Sequence, residues 1–214
     1  MSSDKKQNQI KEILKRLKKA YQGAPKTALH FSTPFELLVA TILSAQTTDA
    51  QVNKVTEVLF KKFKSIQDFA NTTPEQLATQ MQSINFYHTK AKNIHATANM
   101  ILHSFHGTVP ASMKELVLLH GVARKTANIV LSTVYGIQEG IAVDTHVMRL
   151  AQRLGLTHYH EPIKIERELM LSTPQTEWGN LSHLLIFHGR SVCKARNPKH
   201  DRCVLFDICP SRSL

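Results

Sequence analysis

The chain has 214 residues, enough to bury a real hydrophobic core in one large domain or two small ones. Its 27 Lys and Arg against 16 Asp and Glu leave a formal net charge of +11. That balance favours a polyanionic partner, because cations that contact phosphates release counterions, and nucleic acid is the first candidate. No uninterrupted apolar run reaches spanning length, and no apolar stretch follows the Lys-rich opening, so a membrane span and a secretory signal are not expected and a cytoplasmic protein is.

The periodicity predicts helices almost throughout and no alternating strand, hence an all-α protein. Ile10, Ile13, Leu14, Leu17 and Tyr21 line one face of a first helix whose other face is Lys-rich and solvated. Thr33-Pro34-Phe35-Glu36 supplies an N-cap, a proline at the first helical position and a capping-box acid, predicting a helix from about Pro34 towards Ser44. Similar starts stand at Ser65 with Asp68, Thr73-Pro74 with Gln76, and Ser112 with Glu115. Stops are marked by Gly107, after a helix carrying Ile94, Ala98, Ile101 and Leu102, and by Gly136, after Val130 and Val134. No linker or low-complexity tract divides the chain, so composition places no domain boundary.

Between two apolar helical segments, Leu119-His120-Gly121-Val122-Ala123-Arg124-Lys125-Thr126 takes a glycine turn directly into a new helix. This is the form of a helix-hairpin-helix, in which amides at the start of the second helix hold a DNA phosphate without reading sequence. An ordinary helical hairpin fits the spacing equally well, and, separately, Arg124 and Lys125 also read as plain phosphate-contacting cations. Further on, Ile141-Ala142-Val143-Asp144-Thr145-His146 ends a short apolar run in a good N-cap residue, Asp144. Cys193, Cys203 and Cys209 crowd the C-terminal region, and an odd, tightly grouped set points to a metal site rather than a disulfide framework. The triplets at Asn71 and Asn180 that match glycosylation acceptors are then chance matches.

These segments together resemble the endonuclease III family, over nearly the whole chain from about residue 8 to Pro210. The family's hairpin commonly reads Leu-Pro-Gly-Val-Gly-Arg-Lys-Thr-Ala; here His120 replaces the proline and Ala123 the second glycine. The resemblance puts Lys125 at the nucleophile position, with Gly121, Ala123 and Arg124 against the DNA backbone. Val143-Asp144-Thr145-His146 through Arg149 resembles the family's Val-Asp-Thr-His-x-x-Arg, which implies Asp144 as the catalytic aspartate and His146 and Arg149 beside the site. Leu43 through Asp49 resembles the segment at the edge of the DNA groove, with Gln46 filling the gap left by an extruded nucleotide and Thr47 beside it. Asn85-Phe86-Tyr87 resembles the loop that wedges into the duplex, where glycine and leucine are usual; Phe86 is a wedge or a core residue, equally on its residue type.

The family closes on four cysteines spaced by six, two and five residues, holding a [4Fe-4S] cluster. This chain keeps all three intervals with Cys193, His200, Cys203 and Cys209, so an iron cluster with Cys3His ligation is expected, zinc or a vacant site being the alternatives. The cluster would fix a loop whose Lys194, Arg196 and Lys199 meet the DNA backbone. The resemblance further implies two all-α lobes, residues 25–137 with the hairpin and 1–24 plus 138–214 with the cluster loop. It implies a bifunctional DNA glycosylase and AP lyase of base-excision repair, a bacterial monomer that releases oxidised pyrimidines from double-stranded DNA and nicks abasic sites by β-elimination. The rival from another class is a non-catalytic helix-hairpin-helix DNA-binding protein, which charge and hairpin fit as well.

Overall fold

The computed structural model describes residues 3–213, and every regular element among them is helical. Helix α1 spans Ser3–Ala20. There follow α2 (Pro34–Leu43), α3 (Asp49–Lys62), α4 (Ile66–Asn71), α5 (Pro74–Thr79), α6 (Tyr87–Ser104), α7 (Met113–Leu116) and α8 (Arg124–Val130). The last three are α9 (Thr145–Arg153), α10 (Pro162–Ser172) and α11 (Trp178–Ser191).

The predicted starts form as capping chemistry requires. Thr33, Ser65, Thr73 and Ser112 each accept a hydrogen bond from the backbone N–H three residues on, and at Ser65 and Thr73 the reciprocal bond completes a capping box. Gly107 and Gly136 take positive φ, 74° and 66°, where the preceding helices stop. One feature departs from the reading at Gly136: after α8 the chain runs through a wider π turn, Leu131–Tyr135, closed by the Gly136 N–H on Leu131 O.

The chain divides into two compact units, Thr27–Ile137 in one and the stretch up to Lys26 with the stretch from Gln138 in the other. In the Thr27–Ile137 unit, α2 is apolar on every side and buried from Phe35 through Leu43 apart from Glu36, so it forms the centre of that core. Its C-terminal end must then emerge from the core in a turn, which carries Gln46.

The other unit is built on α1, α9, α10 and α11. Ile10, Ile13, Leu14 and Leu17 of α1 are at most 5% exposed and pack with Leu150, Leu154, Ile165, Leu169, Leu181 and Leu185. Each such side chain contributes about 1.5–3 kcal/mol of burial, which is why a segment far away in sequence docks here. Polar ties add direction: Lys6 pairs with Glu168 at 2.6 Å, and the Arg16 guanidinium bridges Asp207 and the Val204 carbonyl. Cys193, Cys203 and Cys209 pack against this same core.

Candidate active site and metal centre

In the hairpin Gly121 sits at φ 77°, and a Cβ there would meet Asn93 Nδ2 at 2.9 Å and Asn93 Cβ at 3.1 Å. Conformation and space both demand glycine. Ala123 takes φ −88° and ψ 168° as the N-cap of α8, an extended geometry any residue adopts, so the second family glycine is dispensable at this turn. The His120 carbonyl accepts from Thr97 Oγ1 at 2.9 Å, which fixes the turn without a proline. No side chain caps α8, and Arg124 and Lys125 stand exposed on its first turn.

In the same unit two turns approach each other. Gln46 is exposed with φ 57°, Thr47 is half-buried beside it, and Phe86 is 66% exposed with φ 58°. Phe86 is therefore not a core residue. Asn85 Nδ2 donates to Gln46 O at 2.5 Å, and the buried Lys90 ammonium donates to the carbonyls of Leu43 (2.8 Å) and Ala45 (2.6 Å). Sequence reasoning missed both ties, since Asn and Lys on a polar segment read as solvated. Burial pushes the Lys90 amine below the ordinary lysine range.

In the other unit Asp144 caps α9: its Oδ1 accepts from the backbone N–H groups of His146 and Val147, both at 2.8 Å. Arg149 Nη2 reaches His146 Nδ1 (3.1 Å), Gly189 O (3.0 Å) and Cys193 O (3.0 Å), so its guanidinium joins α9 to α11 and to the first cysteine. Burial chiefly, and the nearby Arg149 and Arg190, hold His146 below the ordinary histidine value of 6.5 against an opposing pull from Asp144. A neutral imidazole accepting from Arg149 fits that shift. A Cβ on Gly189 would meet His146 Cβ at 3.0 Å and Nδ1 at 3.1 Å, so this helical glycine is what allows α11 to approach α9 here. Nothing local in the sequence marks it.

Cys193, His200, Cys203 and Cys209 line one cavity, together with Arg153, Phe206 and the Pro198–Lys199 corner. The thiols are free. Among the described residues no three His, Cys, Asp or Glu side chains are arranged to hold a single metal ion. Three thiols and an imidazole are donors that suit an iron–sulfur cluster and zinc alike. Burial raises the Cys203 and Cys209 thiols, with the neighbouring cysteines adding to it. Arg153 Nη1 donates to Cys193 Sγ (3.2 Å) and Lys194 O (2.8 Å) and places the following loop, in which Lys194 and Arg196 are exposed and Lys199 half-buried. A second imidazole escaped the sequence reading: His188, 1% exposed, stands 3.4 Å from Cys203 Sγ through Nε2 and 2.6 Å from the Tyr21 hydroxyl through Nδ1. Burial pushes it down to about 4.

Residues 39–175 match the family model described as HhH-GPD superfamily base excision DNA repair protein, a span that includes both Lys125 and Asp144. Endonuclease III of Synechocystis sp. is 49% identical over 206 residues, 96% of this chain and 94% of that protein. Endonuclease III of Escherichia coli (strain K12) is 39% identical over 198 residues, 92% and 93% of the two. The chain belongs to the endonuclease III family. A solved structure of a trapped endonuclease III–DNA covalent intermediate superimposes with a TM-score of 0.90 at 40% identity, covering 97% of each chain. This endonuclease III family member is thus a base-excision repair enzyme, a DNA glycosylase with AP lyase activity, on the helix-hairpin-helix glycosylase fold. Residues 193–209 match the iron–sulfur binding domain of endonuclease III, bounded by Cys193 and Cys209 and enclosing His200. Among the described residues no helix is long and apolar enough to cross a membrane.

Proposed function

We propose that Lys125 is the nucleophile of both chemical steps and Asp144 the residue that stabilises the positive charge developing on the sugar. The observation that supports this most is the likeness to a relative trapped as a covalent DNA intermediate, taken with an exposed lysine on the first turn of α8. Neutral Lys125 Nζ attacks C1′ of an extruded nucleotide, the N-glycosidic bond breaks and the base leaves with a proton. The sugar opens to an imine between Nζ and C1′. Loss of a C2′ proton then expels the 3′ phosphate, breaking the C3′–O bond, and water releases the enzyme from the nicked strand. The substrate is double-stranded DNA carrying an oxidised or ring-saturated pyrimidine, which stacks poorly and costs less to extrude, or an abasic site. The enzyme acts as a monomer in the bacterial cytoplasm.

Gly121, Ala123 and Arg124 present the hairpin to a backbone phosphate, and Lys194, Arg196 and Lys199 present cations to the same polyanion. His146 and Arg149 support the aspartate's helix. Cys193, Cys203, Cys209 and His200 would hold a [4Fe-4S] cluster, whose contribution is to fix the Lys194–Lys199 loop and to set a reduction potential. Borohydride trapping on abasic-site DNA tests the central assignment: a covalent adduct in the native enzyme, absent in Lys125→Ala, is expected. An adduct that persists in Lys125→Ala, or none in the native enzyme, overturns it.

A further inference from the structure

The turns at Gln46 and Phe86 are distant in sequence, yet three side chains staple them together. Asn85 Nδ2 donates to Gln46 O at 2.5 Å, and Gln51 Nε2 donates to Ser83 Oγ at 2.7 Å. Lys90, on the first turn of α6 and only 6% exposed, aims its ammonium at Leu43 O and Ala45 O, the negative end of the α2 dipole. Helix α6, which begins just after Phe86, thus grips the exit of α2, which carries Gln46.

Both turns are strained. Gln46 (φ 57°) and Phe86 (φ 58°) hold left-handed backbone that a side chain disfavours, and such strain persists where the surroundings over-determine it, typically at functional sites. Both residues are also exposed, Phe86 by 66%, so no buried contact of either side chain accounts for the conformation. Held backbone with exposed heads is the arrangement that favours insertion into a stacked duplex, because the ordering is complete before DNA arrives.

We propose that Asn85 is a positioning residue that locks the Gln46 turn to the Phe86 turn, so that the two side chains enter the duplex as one preassembled wedge anchored by Lys90. This rests on reading Gln46 and Phe86 as duplex-facing residues. Glycine, the residue that the resemblance puts at position 85 in the family, has no side-chain donor, so the lock depends on the asparagine that this chain carries there.

The test uses the full-length protein and a duplex with 2-aminopurine opposite an uncleavable tetrahydrofuran abasic analogue, reading affinity and the fluorescence gain on unstacking at saturation. Asn85→Ala should weaken binding about tenfold, the size of one ordinary hydrogen bond, and lower the gain. Asn85→Asp, the same shape without the donor, should do the same. In a Gln46→Ala/Phe86→Ala background, Asn85→Ala should add nothing, as expected of residues acting in one unit. Asn85 is exposed, so melting temperatures should stay within a few degrees of the native protein. Native affinity and gain in Asn85→Ala, or an equal loss in the double-mutant background, overturns the lock while leaving the wedge standing. A Gln46→Ala/Phe86→Ala protein that binds and unstacks like the native one overturns the wedge reading and the lock with it.

Discussion

Asparagine at position 144 separates the cap that the structure shows for Asp144 from the charge stabilisation proposed for the same carboxylate. As a cap, Asp144 Oδ1 accepts two N–H bonds of 2.8 Å at the start of α9. Asparagine keeps an oxygen of the same shape, so the change removes mainly the charge at the positive end of the helix, about 0.3–1 kcal/mol. Alanine removes the cap itself, about 0.5–2 kcal/mol. For a chain of this size each kcal/mol moves the melting temperature by roughly 2–4 °C. As a charge stabiliser, a carboxylate about 4 Å from a developing cation is worth on the order of 4 kcal/mol at an effective dielectric of 20. With 1.36 kcal/mol per decade, Asp144→Asn should slow base release by about 10³-fold. Single-turnover release from a duplex with one defined oxidised pyrimidine, beside thermal melts of the Asn and Ala variants, gives both numbers. Asn should melt close to the native enzyme and release base about a thousandfold more slowly, with DNA affinity nearly unchanged. If Asn melts as low as Ala and its folded fraction releases base at the native rate, Asp144 is a helix cap and nothing more.

Gly189→Ala, which drives a methyl into His146 and Arg149, should displace that pair and lower activity more than its effect on melting temperature implies; native activity would show that the contact yields freely. His146 is held below its ordinary value, so its folded form resists a proton that the unfolded chain accepts. Its contribution is therefore constant above about pH 6.5 and lost as pH falls from 6.5 through the depressed folded value, and His146→Asn should flatten that part of the melting-temperature profile. An unchanged acid limb in His146→Asn removes His146 from the account. Anaerobically purified protein should be brown with about four irons per chain, and His200→Ala should lower iron content while His200→Cys preserves it. Colourless protein holding one zinc, or native iron retention in His200→Ala, rules out the Cys3His cluster.

Residue type and spacing fix features that are local. Caps at Thr33, Ser65, Thr73, Ser112 and Asp144 bond to backbone two or three residues away, so residue type and spacing suffice to place them. Likewise the positive φ at Gly121 follows from a glycine between two helical segments. The apolar stripe of α1 was legible because its period is that of the helix; its docking onto α10 and α11 was not. Only tertiary structure decided that Phe86 faces solvent, that Lys90 is buried under two carbonyls, and that Arg149 reaches Gly189 and Cys193. It also decided that His188 lies beside Cys203, whereas the spacing of the three cysteines and His200 already pointed to the one cavity that they line. The ties of Lys90, Arg149 and His188 join residues separated by far more than a helical turn, where sequence periodicity carries no information, and burial, rather than residue type, sets whether a lysine, a histidine or a phenylalanine is structural or presented to a partner.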